Sequence, residues 1–162
     1  MSVTGSERAA ARLLADHRWA ALATLGEDGP AVSMVAYAPA TDLASLLLFL
    51  SNLSEHTRNL IARPGAALVV SEIDTGSGDP QTLARVSVKG TVGIIERTAP
   101  EFDGAWRTYV GRLPDAAPRI ALGDFSLFRV DIREARYVGG FARAGTIEVA
   151  QLSAAAVGLS DR

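Results

Sequence analysis

Short apolar stretches of strand length, cut apart by clusters of Gly, Pro, Asp, Asn and Ser, recur along this chain and dictate what it can become. Trp19–Leu25 is the first, and Gly26-Glu27-Asp28-Gly29 after it has the residues of a hairpin turn. Ala31–Tyr37 returns, residues 39–42 form a second loop, and Ala44–Leu50 is an apolar run short enough for a buried strand rather than a helix. Ala66–Glu72 is a further strand. The turn-rich stretch Thr75–Pro80 separates it from the longest candidate, Arg85–Glu96, and Asp124–Tyr137 is the last.

Helical segments fall between these runs. Ser6 is expected to cap a first helix that carries Ala10, Leu13 and Leu14 on one face and ends near His17-Arg18, where cations suit the negative helix end. Glu55–Ala62 reads as a short helix stopped by Pro64-Gly65, and Thr98–Gly111 as another that Pro114–Pro118 interrupts. Six strands in hairpin order with helices inserted predict a mainly β fold with flanking helices, an antiparallel barrel that is closed or partly closed. A doubly wound sheet would need regular strand-helix alternation and a glycine fingerprint after its first strand, and neither is present. With 162 residues the expected organisation is one barrel domain over 1–145 and a C-terminal tail over 146–162.

Composition narrows the chemistry. Apolar residues make up 48% and charged residues 21%, as in a globular domain, and a net charge of −2 gives no pull toward nucleic acid or an anionic membrane. The absence of cysteine removes disulfides, thiolate metal sites and thiol nucleophiles, and the two histidines, His17 and His56, are too far apart for a zinc helix motif. No metal site is expected. The charged N-terminus lacks the apolar run of a signal peptide and no later segment is apolar enough to span a bilayer, so a cytoplasmic protein is expected.

Three segments carry candidate binding groups. In Ser51-Asn52-Leu53-Ser54-Glu55-His56-Thr57-Arg58, a strand end brings a hydroxyl to a helix start, where free N–H groups and the dipole favour an anion such as phosphate. An ordinary helix cap at Ser54 with solvated His56 and Arg58 accounts for the same residues, so spacing alone leaves both readings open. In Arg85–Val92, Arg85, Ser87, Lys89 and Thr91 share one face and Val86, Val88 and Val92 the other: either a basic ligand-facing surface or a solvated one. In Tyr137-Val138-Gly139-Gly140-Phe141-Ala142-Arg143, paired glycines permit close approach beside a stacking ring and a charge, or simply a loop. Trp19, Trp106 and Tyr109 are assigned to packing.

Taken together, Gly29-Pro30-x-x-Ser33-Met34-Val35, the Ser-x-His-Thr-x-Asn-Leu run at 54–60, Arg85–Gly90 and Tyr137-Val138-Gly139-Gly140-Phe141 resemble the pyridoxamine 5′-phosphate oxidase-related split-barrel family that binds flavin mononucleotide (FMN). The nearer likeness is to its haem-utilisation branch. The resemblance runs from about Leu13 to Ala144 and implies a six-stranded Greek-key split barrel, a homodimer and FMN held between the two subunits. Ser33, Met34 and Val35 would then lie along the flavin ring. Ser51, Ser54, His56, Thr57 and Asn59 would hold the phosphate, Arg85 and Lys89 would reach the ring, and Phe141 and Arg143 would close the pocket from the partner.

The departures are informative. His56-Thr57 stands where the vitamin-converting oxidases carry an Arg-Lys pair, and their C-terminal substrate residues have no counterpart, which argues against pyridoxamine phosphate as substrate. The haem-degrading branch carries a further C-terminal domain that supplies a haem-ligating histidine, and no histidine follows His56 here, so ligation by the tail is not expected while haem binding by other means stays open. The expectation is an FMN-dependent oxidoreductase of unknown substrate. A haem- or flavin-binding module without turnover is the alternative, with a deazaflavin in the same groove as a third.

Overall fold

A computed structural model describes residues 3–140 and 143–159. Its strands are β1 (Trp19–Leu25), β2 (Pro30–Pro39), β3 (Ser45–Ser51), β4 (Gly65–Ser71), β5 (Arg85–Ile95), β6 (Phe125–Val138) and β7 (Ala144–Ile147). The α-helices are α1 (Gly5–Asp16), α2 (Glu55–Ala62), α3 (Phe102–Arg112) and α4 (Val149–Val157), with 3₁₀ turns at Pro80–Thr82 and Pro114–Ala121. Every strand pairing is antiparallel, in the order β3-β2-β1-β4-β5-β6-β7, and a further β3–β6 ladder closes the first six strands into the expected barrel.

Side-chain alternation explains the layers. β3 is buried on both faces: Leu46, Leu48 and Leu50 point into the barrel, while Leu47 and Phe49 join a second cluster under α3. That is why it reads as an unbroken apolar run. In the second cluster Phe49 meets Trp106, Tyr109 and Phe125 at ring separations of 4.8, 5.9 and 5.1 Å. The main core takes Leu22, Tyr37, Val86, Val88, Phe128 and Val130 from the barrel, plugged at one side by Leu14 of α1 and Leu152 of α4.

β6 serves two partners. Its first half pairs with β3 on one side and β5 on the other, and its second half exchanges β3 for β7. Between the halves, Lys89 and Gly90 of β5 face Glu134 and Ile132, leaving Arg133 as an extra residue in the ladder. The bulge switches the inward set from Phe128, Val130 and Ile132 to Ala135 and Tyr137. Gly90 sits opposite, and a Cβ there would fall on the Asp131 carbonyl.

Three expectations change. Thr4, not Ser6, caps α1: its hydroxyl accepts the Glu7 N–H at 3.2 Å and the Glu7 carboxylate accepts the Thr4 N–H at 2.7 Å, a Thr-x-x-Glu capping box. The stretch from 146 is no tail, because it completes β7 and forms α4, whose Leu152, Ala155 and Ala156 are buried in the main core and whose Gln151 donates to Glu7 at 2.9 Å. Trp19 does not pack in the interior. It begins β1 with outward parity, opposite Ala36, and is 55% exposed.

Candidate functional site

The β3–α2 junction is built largely on its own hydrogen bonds. The Ser51 hydroxyl donates to the Asp124 carboxylate at 2.8 Å and accepts the Leu53 N–H at 3.2 Å, while the Asp124 carbonyl accepts the Asn52 N–H at 2.6 Å. Asn59 turns away into the β1–β2 hairpin, donating to Thr24 at 3.1 Å and lying against Gly26. Arg58 folds back onto the Leu53 carbonyl. His56 shares its Nδ1 with the Ser33 hydroxyl at 3.0 Å, and burial holds its pKa below the ordinary value, although Glu55 pulls the other way.

Two hydroxyls at this junction stay unspent. Ser54 occupies the N-cap position of α2 without a capping bond, and Thr57 is fully buried with its hydroxyl unpartnered. Ser33, Ser51, Ser54, His56 and Thr57 are therefore brought to one end of the barrel. Among the described residues, no Lys or Arg side chain bonds to any of their hydroxyls, and a carboxylate does. A phosphate dianion needs the reverse arrangement.

The other expected site residues separate. Ser33 and Val35 face the same way as their ladder partners Leu22 and Ala20, into the barrel, whereas Met34, opposite Ala21, faces out and is 48% exposed. One ring cannot contact all three side chains from one side. Arg85 is tied to the Gln81 and Leu83 carbonyls at 3.1 and 3.2 Å, and Lys89 pairs with Glu134 at 3.4 Å in solvent. Arg143 is exposed at the start of the β7 hairpin, and Phe141 lies outside the described residues.

A larger feature lies on the outer face of the sheet. A groove of about 830 Å³ has an apolar floor of Trp19, Ala21, Met34 and Val69. Arg18 and Arg112 face Asp16, Glu72 and Asp74 around its rim, and His17 joins them. The His17 ring Nδ1 is 3.1 Å from the Leu13 carbonyl. Arg112 donates from Nη2 to the Ala15 and His17 carbonyls at 2.7 and 3.2 Å, and its buried Nε has no partner. The apolar strip continues along the same face through Leu25 and Val32, the latter 72% exposed.

Sequence reasoning missed this groove. Its residues come from the α1–β1 junction, β2, the end of β4 and α3, and none of these segments is conspicuous alone. The one readable signal was the Asp16-His17-Arg18-Trp19 cluster, polar groups beside a tryptophan where helix gives way to strand. Among the described residues, no three His, Asp or Glu come together as a metal site, and no helix is long and apolar enough to cross a membrane.

The closed antiparallel sheet with its flanking helices defines a split barrel. The chain belongs to the pyridoxamine 5′-phosphate oxidase family, whose model matches residues 6–139. It is 31% identical over 121 residues to the chloroplastic non-canonical heme oxygenase HOZ of Arabidopsis thaliana, an alignment that covers 73% of this chain and 34% of that protein. A heme binding protein from Mycobacterium smegmatis superposes with a TM-score of 0.81 at 28% identity, over 94% of this chain and 62% of that one. An FAD-binding protein from Mesorhizobium loti shares the fold, with a TM-score of 0.63 at 19% identity over 85% and 90% of the two chains. This chain thus spans less than two thirds of the length of the two haem-related proteins.

Proposed function

We propose that this chain binds haem in the groove beside β1 and does so as a homodimer. The observation that carries the proposal is the groove itself. Its floor is apolar and its volume lies within the range of small-molecule sites. Its rim mixes acids and cations, so a broad apolar plane is selected more by its surface than by its charge. Arg18, exposed at the rim, suits a carboxylate at a porphyrin edge. The two haem-related relatives support the same reading.

A second copy of the chain completes the argument. Leu25, Val32, Met34 and Trp19 form a strip of exposed apolar side chains on one sheet face, the kind of patch that marks an interaction surface. Pairing two such faces would bury the strip and roof the groove. When bound, haem supplies redox and oxygen chemistry. The chain's own residues orient the plane and exclude water, and an oxidoreductase role belongs to that loaded dimer.

FMN remains the second reading on one observation, the unspent hydroxyls of Ser54 and Thr57 at the start of α2. Against it stands the engagement of Ser51 by Asp124. A deazaflavin would meet the same obstacle wherever its phosphate docked there. Titrating the purified chain with ferric haemin and with FMN separates the readings. The expected outcome is a shifted Soret band and quenched tryptophan emission with haemin, no retained FMN after gel filtration, and a dimer by light scattering. A yellow protein that keeps FMN and ignores haemin would overturn the proposal.

A further inference from the structure

We propose that His17 supplies the axial nitrogen to the haem iron, an assignment that rests on the haem reading above. The argument begins with the tautomer. The Leu13 carbonyl can only accept, so the hydrogen in the 3.1 Å contact sits on His17 Nδ1. In the neutral ring, Nε2 then holds the free lone pair. Iron ligation by histidine uses this arrangement: one ring nitrogen donates to a carbonyl that fixes orientation and raises basicity, and the other binds the metal.

The position of His17 is fixed from several sides. Arg112 holds its carbonyl at 3.2 Å and that of Ala15 at 2.7 Å. The buried Tyr37 hydroxyl donates to the Leu14 carbonyl at 2.9 Å, and the Tyr37 N–H donates to the Arg18 carbonyl at 3.0 Å. Both flanks of His17 are thereby fastened to the barrel, and ligands on rigid supports bind metals best. His17 is among the residues lining the groove whose floor carries Trp19 and Met34, and it also borders the neighbouring pocket beside Arg12 and Leu13 of α1. Capping of α1 explains the use of Nδ1 alone and leaves Nε2 without a task.

The other histidine among the described residues, His56, offers a weaker case. His56 bonds through Nδ1 to the Ser33 hydroxyl, which either donates or accepts, so that contact fixes no tautomer. His56 also lies at the barrel end beside α2, outside the groove. Ligation forms one Nε2–iron dative bond and transfers no electron.

The test uses the full chain loaded with ferric haemin, read by optical and electron paramagnetic resonance spectra and, after reduction, by the iron–histidine stretch in resonance Raman. The wild-type protein is expected to show a histidine-ligated spectrum that His56→Ala keeps. His17→Ala and His17→Gln are expected to lose it, with haem affinity falling roughly ten-fold or more, and added imidazole should restore it. Circular dichroism and unfolding midpoints identify whichever variant remains folded. A His17 variant that keeps the wild-type spectrum, or loss of that spectrum in His56→Ala, overturns the assignment while leaving haem binding intact. A wild-type chain that takes up no haem overturns the haem reading beneath it.

Discussion

Replacing Asp124 with Asn should raise the affinity of the chain for FMN. Ser51 has one hydroxyl hydrogen, and it is spent on the Asp124 carboxylate at 2.8 Å. A phosphate accepting from Ser51 would have to displace that carboxylate and then sit roughly 4 Å from it, where two like unit charges repel by about 4 kcal/mol at an effective dielectric constant near 20. Asp124 is half-buried and salt screens part of this, so about 1–3 kcal/mol is the realistic penalty. The amide introduced by Asp124→Asn would keep an acceptor for Ser51 but carry no charge. Removing the charge therefore predicts a gain of roughly ten- to a hundred-fold in FMN affinity, at about 1.4 kcal/mol per ten-fold. Folding stability should fall by only about 1 kcal/mol, as a charge-assisted hydrogen bond becomes a neutral one. Flavin fluorescence quenching on titration measures the first quantity and urea unfolding the second. Tight FMN binding by the wild-type chain that Asp124→Asn weakens would refute the electrostatic argument and return the phosphate to this junction.

Leu152→Ala should destabilise the fold by about 2–5 kcal/mol in urea unfolding, since Leu152 is fully buried in the main core; a change below about 0.5 kcal/mol, the range of ordinary surface substitutions, would mean α4 is dispensable. Val32→Lys should shift the proposed dimer to monomer by light scattering while leaving the monomer fold intact, because the side chain is already 72% exposed in a single chain. His56 has a folded-state pKa held below its unfolded value by burial, so the unfolded chain binds the proton more readily. Stability should therefore decline as pH falls through about 6.5, level off below the folded-state pKa, and lose this part of its pH dependence in His56→Asn, as measured by urea midpoints from mildly alkaline to mildly acidic pH.

The barrel was legible because its signals are local. β3 announces itself as Leu46–Leu50, α2 ends at Pro64-Gly65, and the alternation of Val86, Val88 and Val92 gives the inner face of β5. The capping box was also there to be read in Thr4-Gly5-Ser6-Glu7, but an adjacent serine masked it. α4 carries no charge, and although Leu152, Ala155 and Ala156 stand at helical spacing, apolar residues occupy its other faces too, so nothing in the sequence marks the face that is buried. The segment 54–60 falls at the start of α2, yet the hydrogen bonds around that junction depend on Thr24, Ser33 and Asp124, which no local window contains. The groove assembles from four separated segments for the same reason.

The bulge at Arg133 leaves the barrel wall one residue of slack. Arg133 is exposed, and losing it would bring Ile132 and Glu134 together opposite Gly90 and Lys89, so that Ala135 and Tyr137 would keep their partners and still face inward. A substitution and the loss of a single codon are therefore both local edits at this point, and β7 and α4 keep the surface they rest on.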